Sequence, residues 1–166
     1  MFLTTQSPEE TEKLGQKIAE ACLVLPPVSG QALILNMEGD LGGGKTTLVR
    51  GIAQGLQITD PITSPTFILS RRYPINHSFF KNFYHFDLYR LNFNNRQSLH
   101  QIGFNEIISL PENFVVIEWS ERLGKFRPPG LIINLEFQDQ KRRNISIQGD
   151  PNRLSKIKSF IDGESS

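Results

Sequence analysis

The stretch GDLGGGKTTLVRG, Gly39 to Gly51, sets glycines at 39, 42, 43 and 44 ahead of a lysine and two threonines. Such a run is either a flexible linker or a loop that holds phosphate. Its fixed positions, Gly39, Gly44, Lys45 and Thr46, follow the pattern G-x-x-x-x-G-K-[ST] throughout. Glycines let successive backbone N–H groups converge on phosphate oxygens without Cβ clashes. A helix opening at Thr46 adds its positive N-terminal end to the same anion. Lys45 is then placed to reach the β- and γ-phosphates, and the Thr46 hydroxyl to ligate Mg²⁺. The flanks decide against a linker. ALILNM (32–37) is a short apolar run that predicts a buried strand. Thr46 to Leu56 has Leu48, Ile52 and Leu56 on one helical face. Strand, glycine loop, helix is the context a phosphate loop requires.

Outward from this unit the chain alternates strands and helices. Ser7-Pro8-Glu9-Glu10 is a helix start with a capping serine, a proline in the first turn and a capping-box glutamate. Leu14, Ile18, Ala21, Cys22 and Leu25 continue it until Pro26-Pro27. TFILSRRY (66–73), NFYHFDLY (82–89) and NFVVIEW (113–119) predict strands, and PINHSFFK a loop between the first two. SLHQIGFNEIISL (98–110) predicts a helix, which Gly103 weakens by about 1 kcal/mol. GLIINLEF (130–137) and NISIQG (144–149) predict a late antiparallel hairpin, and NRLSKIKSFI (152–161) a closing amphipathic helix. The expected fold is α/β, with a largely parallel central sheet flanked by helices. One domain over 1–162 is expected, with 163–166 as a frayed tail.

Bulk properties narrow the function classes. The 166 residues are 38% hydrophobic and 21% charged, with a formal net charge of +1. That balance gives no general electrostatic reason to bind nucleic acid or an acidic membrane. The single cysteine, Cys22, excludes an intramolecular disulfide and suits a reducing cytosol. No basic-then-apolar leader and no apolar run near the roughly 20 residues of a membrane span occur, so a cytoplasmic protein without membrane contact is expected.

A phosphate-loop enzyme also needs an acid at the end of a neighbouring strand. Asp87 after FYHF and Glu118 after FVVI both qualify, and periodicity does not rank them. The strand before Glu118 is apolar throughout, as in a sheet covered on both faces; the strand before Asp87, with Tyr84 and His85, reads as nearer an edge. SPTF (64–67) puts hydroxyls on a loop after the phosphate-loop helix, where nucleotide switches carry a γ-phosphate sensor. Thr66 is the candidate, against a plain Ser-Pro turn. Trp119 is either core or a lid over a nucleotide. Three scattered histidines offer no metal-site spacing. Lys141-Arg142-Arg143 is a basic run at a hairpin tip, and Arg71, Arg72 and Arg90 are further cations that a small-molecule kinase would need. There is no N-K-x-D run for guanine, which favours ATP over GTP.

In order along the chain, GDLGGGKTTLVRG, SPTF, YHFDLYRL and IEWSERL together closely resemble the bacterial TsaE (YjeE) family, the small ATPase of tRNA threonylcarbamoyladenosine synthesis. HFDLYRL and IEW are far more specific than the phosphate loop. The resemblance implies weak intrinsic ATPase activity in support of the TsaB and TsaD proteins, which attach a threonylcarbamoyl group to adenosine 37 of ANN-decoding tRNAs, so that tRNA is met only through that complex. It implies ATP binding by Leu41, Gly42, Gly43, Gly44, Lys45, Thr46 and Thr47, with Mg²⁺ at Thr46 and Glu118. It makes Lys45, Thr66, Asp87 and Glu118 the catalytic set, and adds Trp119 and, more loosely, Arg143 as nucleotide contacts. HQIGFNEII departs from the family's usual G-x-x-E/D-Y-F ending, and the loop within RRYPINHSFFKNF is long for the family.

Overall fold

The structure, a computed structural model, describes residues 1–27, 30–65, 68–91 and 96–163. Its centre is a seven-stranded sheet in the order β1-β7-β6-β2-β5-β4-β3. These strands are β1 (Phe2–Thr5), β2 (Leu33–Gly39), β3 (Ser70–Pro74), β4 (Asn82–Asp87), β5 (Asn113–Glu118), β6 (Leu131–Phe137) and β7 (Arg143–Gln148). The four inner neighbours β6, β2, β5 and β4 are parallel, and β3, β7 and β1 add antiparallel edges. The largely parallel sheet and the late β6–β7 hairpin agree with expectation.

Burial follows strand position. Every residue of β5 is buried, and the first five of β2 are too. Strands with helices on both faces carry continuous apolar runs for this reason. β6 alternates buried and half-buried residues, as a strand with one covered face does.

Helices α1 (Pro8–Leu23), α2 (Lys45–Gly55) and α5 (Pro151–Asp162) share one apolar core with Leu35, Met37, Phe83, Phe114 and Val116. Short helices α3 (Arg96–Gln101) and α4 (Phe104–Ser109) lie with a kinked 3₁₀ segment, Ser120–Phe126, around Ile34, Phe86, Val115 and Ile117. Burying Phe83 or Phe114 completely contributes roughly 1.5–3 kcal/mol each. α1 begins as its sequence requires: the Glu10 N–H donates to Ser7 Oγ at 3.2 Å, and Glu10 Oε2 accepts from the Gln6 N–H at 2.7 Å. α1 and α2 pack backbone to backbone. A Cβ on Gly51 would lie 1.9 Å from the Glu12 carbonyl oxygen, so only glycine admits this approach. That contact seats the helix that carries the phosphate loop.

Three expectations shift. The helix over 98–110 is two helices, because Gly103 takes φ 68° between α3 and α4. The strand expected over 66–73 runs from Ser70 to Pro74, and its first two residues lie outside the described residues. β1 is an addition to the expected strands: FLTT is only four residues long, and it forms by pairing with β7 across the length of the chain. Gly163 caps α5 at φ 81°, and 164–166 of the expected tail lie outside the described residues. Among the described residues no helix is long and apolar enough to cross a membrane.

Candidate functional site

Parallel pairing brings the sequence candidates to one edge. β4 and β5 pair with Asp87 opposite Glu118, and β2 pairs with β5 with Met37 opposite Glu118. The C-terminal ends of three neighbouring strands therefore meet where the chain leaves β2 at Gly39, the usual ligand edge of an open α/β sheet. Gly39 leaves the strand at φ 110°, and a Cβ there would lie 2.1 Å from the Leu135 carbonyl oxygen of β6. This turn is open to glycine alone.

Beyond it lies a cavity of about 460 Å³. Leu41, Gly42, Gly43, Gly44, Lys45, Thr46 and Thr47 line one side. Ser64, Asp87, Tyr89, Arg90, Glu118 and Trp119 line the other. Arg143 lies beside the loop, its Nη2 donating to the Gly42 carbonyl at 3.2 Å and its side chain standing over Gly44. Arg143 Nε is buried with no hydrogen-bond partner among the described residues. A buried donor left over beside a glycine loop suits an incoming ligand acceptor.

Lys45 is almost fully buried. Its ammonium donates to the carbonyls of Gly39 and Asp40, both at 2.7 Å, and stands 3.7 Å from the centre of the Trp119 ring. Burial pushes its pKa down, against the opposing pull of Glu118, Glu121, Asp40 and Asp87. The cation is thus held by dipoles and a ring face, and among the described residues no carboxylate is in hydrogen-bond contact with it. A phosphate entering the loop would supply a counter-charge in direct contact. Trp119 reaches this position from the left-handed region (φ 62°, ψ 38°), which costs a bulky residue on the order of 1–3 kcal/mol. Strain of that kind concentrates at functional sites. Glu121, exposed on the following turn, has its carboxyl pKa raised by partial desolvation and by the nearby Glu38.

The two acids differ. Glu118 is 2% exposed and accepts from the Thr46 hydroxyl, 3.1 Å from Oε1 and 3.0 Å from Oε2. Asp87 is 3% exposed; it accepts from the Ser64 hydroxyl, and its Oδ1 accepts from the Tyr89 N–H at 2.9 Å. Thr46 and Glu118 thus present a hydroxyl and a carboxylate in contact, an all-oxygen donor pair that fits a small hard cation such as Mg²⁺. Mg²⁺ takes one or two carboxylates and completes its shell with phosphate and water. The described residues contain no cluster of three or more His, Cys, Asp and Glu side chains that could hold a metal ion.

Of the nucleotide- and metal-site candidates, all but Thr66 come together here; Thr66 lies outside the described residues. Two participants went unread. Ser64 is the hydroxyl of SPTF that meets Asp87. His85 pairs with Glu118, its Nε2 2.7 Å from Oε1. The signal for His85 was its spacing, since residues two apart on a strand face the same way. Arg71 and Arg72 leave the cavity to Arg90: Arg71 donates to Thr63 Oγ1 at 3.0 Å and Arg72 to Asn82 Oδ1 at 2.8 Å, both outside it.

Comparison with known proteins gives the family and the fold. The family model described as "Threonylcarbamoyl adenosine biosynthesis protein TsaE" matches residues 5–145. A protein of Nostoc sp. strain PCC 7120 named "tRNA threonylcarbamoyladenosine biosynthesis protein TsaE" is 40% identical over 152 residues, covering 89% of this chain and 91% of its own. A protein of the same name from Haemophilus influenzae is 35% identical over 153 residues, covering 90% and 91%. Among solved structures, YdiB of Bacillus subtilis superposes with a TM-score of 0.71 at 24% identity, over 99% of this chain and 96% of that one, and shares the fold.

Proposed function

The chain belongs to the TsaE family of threonylcarbamoyl adenosine biosynthesis proteins, and from that premise we propose that it is a Mg–ATP-binding ATPase serving threonylcarbamoyladenosine formation at position 37 of ANN-decoding tRNAs. In this reading it works in the cytoplasm with the TsaB and TsaD proteins, and ATP binding and hydrolysis drive assembly or resetting of their complex. The transfer chemistry belongs to the partners. The observation that carries the reading is the convergence of a buried lysine bonded to backbone carbonyls, the Thr46–Glu118 pair and Asp87 on one cavity beside a glycine loop.

Each residue has a task within it. The N–H groups of Leu41 to Thr47 and the start of α2 bind the phosphate oxygens. Lys45 leaves the Gly39 and Asp40 carbonyls to neutralise the terminal phosphates. Thr46 and Glu118 would hold Mg²⁺, which when bound draws charge from the β- and γ-phosphate oxygens. Asp87, held by Ser64 and the Tyr89 N–H, is set to orient the attacking water, and Thr66 to sense the γ-phosphate. Arg143 contacts the nucleotide from the hairpin side, and Trp119 closes over the lysine. The lack of an N-K-x-D run favours adenine.

The competing reading is a small-molecule kinase. It needs arginines closing over the γ-phosphate, and of its three candidates only Arg90 lines the cavity. Product analysis separates the two. Incubated with Mg–ATP, the chain alone should release inorganic phosphate slowly and in step with ADP. A phosphorylated metabolite appearing in place of phosphate would favour the kinase.

A further inference from the structure

One buried side chain beside the site has no task in the mechanism above. His85 of β4 is fully buried on the face of the sheet that carries α2. The parallel register sets Asp87 opposite Glu118, so His85, two residues back on the same face, reaches forward to Glu118, its Nε2 2.7 Å from Oε1. That same oxygen is 3.1 Å from the Thr46 hydroxyl. His85 Nδ1 is buried with no hydrogen-bond partner among the described residues. The tautomer that fits carries its proton on Nε2. It satisfies the carboxylate and leaves a bare lone pair at Nδ1, which costs less than an orphaned N–H. A polar ring placed in an apolar layer, with only one of its nitrogens satisfied, is costly where Leu or Phe would pack as well. Among the described residues its one hydrogen-bond partner is the acid paired with Thr46.

We propose that His85 is a positioning residue: its Nε2–H fixes the Glu118 carboxylate in the orientation that presents it, with the Thr46 hydroxyl, to the divalent cation accompanying the nucleotide. The inference rests on reading the cavity as a Mg–ATP site and adds to that site an outer partner for its carboxylate. Without the histidine, Glu118 keeps, among the described residues, only the rotatable Thr46 hydroxyl as hydrogen-bond donor and loses its fixed direction. Losing an outer partner of this kind typically costs metal affinity about 10- to 100-fold.

Three chains test this: wild type, His85→Leu, which keeps approximate volume without a donor, and His85→Gln, whose side-chain amide nitrogen falls near the place of Nε2. Thermal melts establish folding; if the leucine variant does not fold, His85→Asn, too short to reach Glu118, takes its place. ATP is titrated first in EDTA and MgCl₂ is then titrated at saturating ATP, both followed by the fluorescence of Trp119, the sole tryptophan. His85→Leu should raise the Mg²⁺ concentration for half-saturation about 10- to 100-fold, while metal-free ATP affinity stays within about threefold. His85→Gln should recover most of the loss. Mg²⁺ titration like wild type in the donor-less variant would overturn the proposal. So would glutamine failing as badly as leucine when both melt like wild type, or an equal loss of metal-free ATP affinity. A wild-type chain that takes up no ATP would contradict the underlying Mg–ATP reading instead, separately from the role of His85.

Discussion

Lys45→Ala lowers Mg–ATP turnover by about a hundred- to a thousandfold, the cost of removing one preorganised charge donor from a transition state. The loss falls mainly on the chemical step, because the loop N–H groups still bind the phosphates in the ground state. Stability moves the other way. Burial holds the Lys45 pKa below its ordinary value, so the folded chain carries the charged form at a cost. The sign follows from linkage: a lysine lowered on folding destabilises at pH below its folded pKa, and the cost lifts above it. Lys45→Met, which keeps most of the stem, should therefore melt at or above the wild-type temperature at neutral pH while turnover stays lost. Single-turnover phosphate release together with thermal melts checks both halves. Retained turnover in the alanine variant would remove Lys45 from the mechanism.

The two acids should separate in a second comparison. Glu118→Gln keeps size and burial but replaces the charged carboxylate that meets Thr46. Losing a direct ligand should cost Mg²⁺ affinity about a hundredfold or more, beyond the cost of an outer partner. Asp87→Asn keeps an oxygen for the Tyr89 N–H and disturbs a group in contact with Ser64. Its Mg²⁺ affinity should fall less than about tenfold while hydrolysis at saturating Mg²⁺ drops more steeply. Mg²⁺ titrations at saturating ATP, paired with single-turnover rates, read both quantities. Equal or greater loss of Mg²⁺ affinity in Asp87→Asn would reverse the assignment.

Much of this was legible because local and global rules coincide near Gly39. The apolar run, the glycines and the helical face after Thr46 each depend on few neighbours, so the loop and its cavity side could be read directly. Glu118 was legible as a site acid because its strand is apolar at every step, as a central parallel strand must be. What was not legible depended on pairing across the chain. β1 exists only through β7, and FLTT has no pattern of its own to announce it. The ranking of Asp87 and Glu118 waited on α2, since only its placement shows which acid Thr46 meets. His85 had a readable spacing to Asp87, yet its partner is on the next strand, and register alone reveals it. The helix over 98–110 broke where a glycine in its middle takes a positive φ, a turn that helical periodicity hides.

The central claim, that ATP turnover in this cavity serves threonylcarbamoyladenosine formation, is tested most directly by reconstitution. TsaB, TsaD, an unmodified ANN-decoding tRNA, the threonylcarbamoyl donor and Mg–ATP are combined with and without this chain, with the tRNA in large excess over the enzymes. The account predicts that modified tRNA accumulates over many rounds with the chain and stalls after about one round per complex without it or with Lys45→Ala. Sustained modification at the full rate in the absence of the chain would contradict it.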